Sequence, residues 1–173
     1  MLGLRPKWKQ MSIHRHKFHG DPNRFEIIAN FVLDKYGKKV RHIADVAGGQ
    51  GMLSRMLNKK SYESEVIDPR GYTLKGVPSR AEEYKSNMAD YYNLVIGLHP
   101  DEAIRDVAES ALVRPVLLVP CCNFWDREKK LGRDALLEAI ERYYDENGVK
   151  HERIIFDFKG PHNIGLVSEP PTK

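Results

Sequence analysis

Residues 42–51 read His-Ile-Ala-Asp-Val-Ala-Gly-Gly-Gln-Gly, a short apolar run that meets an acid and then breaks into glycines. Such a run reads as a buried parallel strand. Glycines just past its end let the backbone turn tightly and approach a ligand with no Cβ in the way. This stretch restricts the chain to folds in which a strand delivers its carboxyl end to a bound molecule. A second strand end follows at Val66-Ile67-Asp68-Pro69, where the Asp68 carboxylate suits two vicinal ribose hydroxyls. Together the two features point to a nucleoside cofactor.

The remaining elements fit that frame. Asp21-Pro22 is a helix start, with Asp as N-cap and Pro in the first turn, and Phe25, Ile28, Ala29 and Val32 form the apolar stripe that Gly37 stops. A strand over 42–47, a helix over 51–59 and a strand over 63–67 follow. Residues 71–77 are expected as a loop or short edge strand, and a helix carrying Ala81, Tyr84 and Met88 comes next. Leu94 to Leu98 is another buried strand, followed by a helix with Ala103, Val107, Ala108 and Ala111 on one face. A strand to Val119 ends at Pro120, and a helix spans 133–146. Ile154, Phe156 and Phe158 alternate as a strand, which a tight turn at Gly160-Pro161 joins to a last strand over Ile164–Val167. Strands separated by helices predict a doubly wound, mostly parallel α/β sheet with an antiparallel C-terminal edge.

The choice of cofactor rests on detail. A dinucleotide site puts a pyrophosphate at the helix N-terminus and keeps carboxylates away from it, whereas Asp45 stands at this strand end. S-adenosylmethionine (SAM) carries an ammonium and a sulfonium, both of which an acid favours. Counting from Gly49, a dinucleotide fingerprint needs Gly or Ala at 54, and the chain has Ser54. Asp45-x-Ala47-x-Gly49-x-Gly51 resembles instead the first motif of class I, Rossmann-like SAM-dependent methyltransferases. Ala47 replaces the motif's first glycine, a change that costs little where φ is negative. The resemblance covers residues 21–168. It implies that Asp45, Ala47, Gly48, Gly49 and Gly51 hold the methionine part of SAM and that Asp68 and Pro69 hold the ribose. It also implies that the segment Leu98-His99-Pro100-Asp101 faces the transferable methyl.

With 173 residues the chain is expected to form a basic arm, 1–20, and one domain, 21–173, with no room for the substrate domain of a dehydrogenase. No run of about 18 apolar residues and no signal peptide is visible, so a cytoplasmic protein without membrane contact is expected. The formal charge of +4 is unevenly spread. Arg5, Lys7, Lys9, Arg15 and Lys17 fall in the arm with Trp8 and Phe18 among them and no acid. That pattern suits either an RNA backbone with stacked bases or a solvated tail. His14, His16 and His19 lack neighbouring Cys or carboxylate ligands, so no metal is expected.

Open parallel sheets bind ligands beyond their carboxyl ends, which makes His99-Pro100-Asp101 and Pro120 to Phe124 further site walls. His99 or Asp101 could serve as base for a hydroxyl acceptor, or could simply open the following helix. Val119-Pro120-Cys121-Cys122-Asn123 resembles the Pro-Cys-Cys motif of a methyltransferase subgroup that includes a tRNA uridine 2′-O-methyltransferase family. RNA carbon-5 pyrimidine methyltransferases also keep a nucleophilic cysteine after this strand, so Cys121 or Cys122 is either a nucleophile or an inert thiol. Phe124 and Trp125 could stack a base or cover the sheet end. The reading is a SAM-dependent methyltransferase acting on RNA. Its alternatives are a small-molecule or protein methyltransferase, and an inactive SAM-binding subunit docked on a partner protein.

Overall fold

Side-chain alternation along the central strands decides which helices cover which face of the sheet. A computed structural model describes residues 20–172. Its elements are α1 (Arg24–Tyr36), β1 (His42–Val46), α2 (Met52–Lys59), β2 (Glu63–Ile67), β3 (Ser79–Arg80), β4 (Leu94–Leu98), α3 (Ile104–Ser110), β5 (Val116–Val119), α4 (Arg133–Glu146), β6 (Lys150–Ile155) and β7 (Ile164–Glu169). They build a seven-stranded sheet in the order β3-β2-β1-β4-β5-β7-β6. Pairing is parallel from β3 through β5 and antiparallel at β5–β7 and β7–β6. Ile43, Leu94, Ile96, Leu117 and Val119 point toward α1 and α2, packing on Ile28, Val32, Leu53 and Leu57. Ala44, Val46, Val95, Val116 and Leu118 point the other way, onto Val107, Leu137 and Tyr144 of α3 and α4. The result is a helix–sheet–helix sandwich, and the doubly wound expectation holds.

The departures are local. No helix forms around Ala81, Tyr84 and Met88; the chain adds the short edge strand β3 and a 3-10 turn over Ser86–Tyr91. The side chains it buries are Tyr84, Ala89 and Tyr92. Partners on α3 fix the segment instead: Tyr84 Oη meets Ser110 Oγ at 2.7 Å, and Ser86 N donates to Asp106 at 2.9 Å. Helix α1 begins at Arg24, later than the Asp21 cap implied. Asp21 still clamps the turn, accepting from Asn23 N at 3.0 Å and from Lys159 N at 2.9 Å. Strand β6 ends at Ile155, so Phe156 and Phe158 are not strand residues. They stack in the β6–β7 loop and fill the α1 face, Phe31 meeting Phe156 edge-on at 5.1 Å. Among the described residues no helix is long and apolar enough to cross a membrane. The arm, with its basic, aromatic and histidine residues at 5–19, lies outside the described residues.

Candidate functional site at the strand tips

Successive strands run outward from β1 to β3 on one side and from β4 to β5 on the other, so strand order reverses between β1 and β4. Beyond that point lies a cleft of about 720 Å³. Each central strand contributes its tip: Ala47 from β1, Asp68 to Arg70 from β2, Pro100 and Asp101 from β4, and Cys122 and Phe124 from β5. This is where an open α/β sheet leaves room for a ligand.

The glycine loop is tied down on several sides. Gly51 N donates to Gly48 O at 3.0 Å, Leu74 N to Gln50 O at 2.8 Å, and Ala47 N to Ile67 O at 2.9 Å. Gly49 N donates to Asp68 Oδ2 at 3.0 Å, joining the β1 tip to the β2 tip. Gly49 and Gly51 have φ of 59° and 82°, which suits glycine. Ala47 is left-handed as well, at 53°, so the condition under which the alanine costs little is not met, and it carries strain of about 1 kcal/mol.

Asp45 and Asp68 do not form a matched pair around the cleft. Strand parity turns Asp45 with Ile43 toward α2, where it is buried behind the loop and does not line the cleft. Its carboxylate accepts from Ser54 Oγ at 2.9 Å and Ser54 N at 3.2 Å, and Ser54 Oγ meets Ser64 Oγ at 2.8 Å. A Cβ on Gly48 would stand 2.5 Å from the Asp45 Cγ, so Asp45 braces the loop from below rather than touching a ligand. Asp45 therefore does not stand where a direct contact with methionine was expected; it touches Ser54 and the underside of the loop. Ser54, read from sequence only as a missing glycine, is the partner that holds it.

Burial pushes the Asp45 carboxyl up to about 7, with the Ser54 hydrogen bonds opposing. Folded Asp45 thus keeps a proton that the unfolded chain releases near 3.8, and its contribution to stability falls as pH rises between those values and is level above them. Asp45→Asn should remove that slope, so that between pH 3.8 and pH 7 the stability difference shifts in the variant's favour by up to about 4 kcal/mol. Urea unfolding of both proteins at a series of pH values checks this; parallel profiles would contradict it.

Asp68 is nearly inaccessible yet lines the cleft. Burial opposes its ionisation, but hydrogen bonds from Arg70 Nε (2.9 Å), Arg70 Nη2 (2.7 Å) and the backbone N–H groups of Arg70 and Gly49 outweigh it and hold the carboxyl below its ordinary range. The Arg70 guanidinium is half exposed and lies over the Tyr72 ring at 5.0 Å. Pro69 lines the cleft beside it, while Gly48, Gly49, Gly51 and Leu98 stand behind the lining.

His99 is turned out of the site. Its Nε2 donates to His162 O at 2.9 Å, its ring meets Phe158 and His162 edge-on, and burial holds its pKa down. It does not line the cleft, so the base role expected of it is not supported by geometry. Asp101 does line the cleft and makes no side-chain helix cap. Cys121 Sγ lies 3.4 Å from Asp101 Oδ1 and 3.5 Å from Cys122 Sγ. Burial pushes the Cys121 thiol well above its ordinary value, with Cys122 and Asp101 adding to the rise, which is unfavourable to a free thiolate nucleophile. Phe124 faces the cleft, whereas Trp125 is buried under Arg105 and against Tyr143 and cannot stack a base.

No family model matches the chain, and no curated protein matches it by sequence. Its fold is that of the Rossmann-like class I methyltransferases. A sugar N-methyltransferase from a Streptoalloteichus species superposes with a TM-score of 0.57 at 13% identity, covering 98% of this chain and 95% of that one. The magnesium protoporphyrin IX methyltransferase of Synechocystis, solved with bound SAM, gives 0.55 at 13% identity over 86% and 78%. A hemolysin candidate from Streptococcus thermophilus gives 0.58 at 12% identity over 92% and 71%. At such identities the fold is what is shared.

Proposed function

We propose that this chain binds SAM in the strand-tip cleft and transfers its methyl group to a small acceptor. The observation that carries the reading is the cleft itself, set where strand order reverses and walled by Ala47 at the β1 tip and by a buried, ionised Asp68 at the β2 tip. The methyltransferases among the structural neighbours support it. The lining fits the ligand's charge: Asp68, Glu83, Asp101, Glu102 and Asp106 outnumber Arg70, Lys85 and Arg127. Such a wall favours a cation and disfavours a pyrophosphate. SAM, when bound, supplies a methyl group made electrophilic by its sulfonium.

The chain's part is to bind and orient. Asp68 is placed to accept from vicinal ribose hydroxyls once Arg70 moves off it. Ala47 and Phe124 provide apolar contact, and Asp45 fixes the loop from behind. Much of the acceleration of a displacement can come from holding its reactants at near-attack distance, which requires no conspicuous catalytic side chain.

The acidic lining argues for a small acceptor over RNA, whose phosphates it would repel. The RNA reading rests on the basic arm and on the short Pro-Cys-Cys motif at 120–122.

Thermal unfolding tests the cofactor. SAM or its demethylated product at 100 times Kd should stabilise the protein by about 2.7 kcal/mol, a shift of roughly 5–10 °C, with none from NAD. No shift with any adenosine ligand would overturn the proposal. RNA affinity that falls steeply with salt and vanishes when residues 1–19 are removed would restore RNA as the acceptor.

A further inference from the structure

Asp101 follows β4 and Cys121 and Cys122 follow β5, yet the three converge at the rim of the cleft. One ligand atom from each lies within 4.8 Å of the others, with Cys121 Sγ 3.4 Å from Asp101 Oδ1 and 3.5 Å from Cys122 Sγ. Zinc holds thiolate sulfur at about 2.3 Å and carboxylate oxygen at about 2.0–2.2 Å; tetrahedral angles then separate two sulfurs by roughly 3.8 Å and sulfur from oxygen by roughly 3.5 Å. The two edges that meet at Cys121 match those of a tetrahedron to within a few tenths of an ångström, and the third, between Cys122 and Asp101, is within 4.8 Å. The backbone is set to hold them. Asp101 sits at φ 47°, in the left-handed region that Asp adopts more readily than most residues with a Cβ. His99 N donates to Val119 O at 2.9 Å, fastening the strand end that carries the acid to the one that carries the thiols.

We infer that Asp101, Cys121 and Cys122 bind one Zn²⁺ whose fourth position opens into the cleft and receives the hydroxyl or thiol of the methyl acceptor. The acceptor part of this inference rests on the methyltransferase reading above; the metal site does not. Asp101 and Cys122 line the cleft while Cys121 stands behind them, so the uncovered corner faces the cavity. Three protein ligands with one open position is the pattern of a catalytic zinc, and two sulfurs select it over Mg²⁺ or Ca²⁺. Loading releases the two thiol protons to solvent. An acceptor O–H or S–H that takes the fourth position gives up its proton to water and keeps the lone pair with which it attacks the methyl carbon of SAM; the new C–O or C–S bond forms as the methyl–sulfonium bond breaks, its electron pair leaving on the neutral thioether product, and nothing is oxidised or reduced. The substrate class narrows to compounds bearing such a group. The cysteines then act as ligands, and the outward turn of His99 leaves no gap in the chemistry.

The test is titration of the reduced, metal-stripped, full-length protein with Co²⁺, followed by displacement with Zn²⁺. A thiolate-to-cobalt charge-transfer band should saturate at one equivalent and disappear as Zn²⁺ is added; the histidines of the arm cannot produce that band. Cys121→Ser and Cys122→Ser should each weaken Zn²⁺ binding by on the order of 100-fold, and Asp101→Asn by about tenfold. Far-UV circular dichroism reports folding, and the exposed Cys122 keeps the test decisive if Cys121→Ser does not fold. Absence of the band, or a full-strength band in Cys122→Ser, would overturn the site. Cobalt binding without a SAM-induced thermal shift would keep the metal and discard the methyl-transfer role. A SAM shift without the cobalt band would do the reverse.

Discussion

Gly51→Ala should cost about 2–4 kcal/mol of unfolding free energy and carry cofactor binding down with it. Two effects add at this position. Its φ of 82° is left-handed, a strain of about 1–2 kcal/mol for alanine. A Cβ there would also stand 2.7 Å from Val77 Cγ1 and 2.9 Å from Val66 Cγ2, both branched side chains packed beside the loop. Gly49→Ala is the internal control. It shares the left-handed backbone at 59°, but the nearest atom to its added Cβ is Arg70 Nη2 at 3.7 Å, so only the strain remains. Urea denaturation of the two variants separates the terms, and equal losses would show that the packing argument is wrong.

Asp68→Ala should weaken SAM binding by about 100-fold while leaving a folded protein. Two hydrogen bonds to a charged acceptor are worth roughly 3 kcal/mol together, which converts to that factor. The direct cost to stability is smaller, because the Arg70 partner is half exposed and its ion pair is correspondingly weak. Calorimetric titration with SAM measures the loss, and Arg70→Ala accompanies it. If Asp68 binds the ribose, removing Arg70 spares affinity; equal losses in both variants would instead mean that the ion pair, rather than the carboxylate, shapes the pocket.

The sheet could be read from the sequence because its central strands are apolar on both faces, and only a sheet covered by helices on both sides buries residues such as Leu94 through Leu98 completely. The glycine turn was legible for the same local reason. What resisted reading was set by partners far along the chain. The segment after β3 follows hydrogen bonds to Ser110 and Asp106, which no periodicity within the segment encodes. His99 is claimed by a carbonyl in the β6–β7 loop, at residue 162. The placement of Asp45 was within reach: two residues beyond Ile43 on one strand, it shares that residue's face and hence lies against α2. The cluster of Asp101 with the cysteines was hidden because it joins two strand ends that only the order of the sheet brings together.

The hydrogen bond from Gly49 to Asp68 has a consequence for how this region responds to change. Neighbouring strand tips are stitched there into a single hinge plate, so a blow to the turn is felt by the acid and a blow to the acid loosens the turn. Substitutions on the two sides will not add as independent losses.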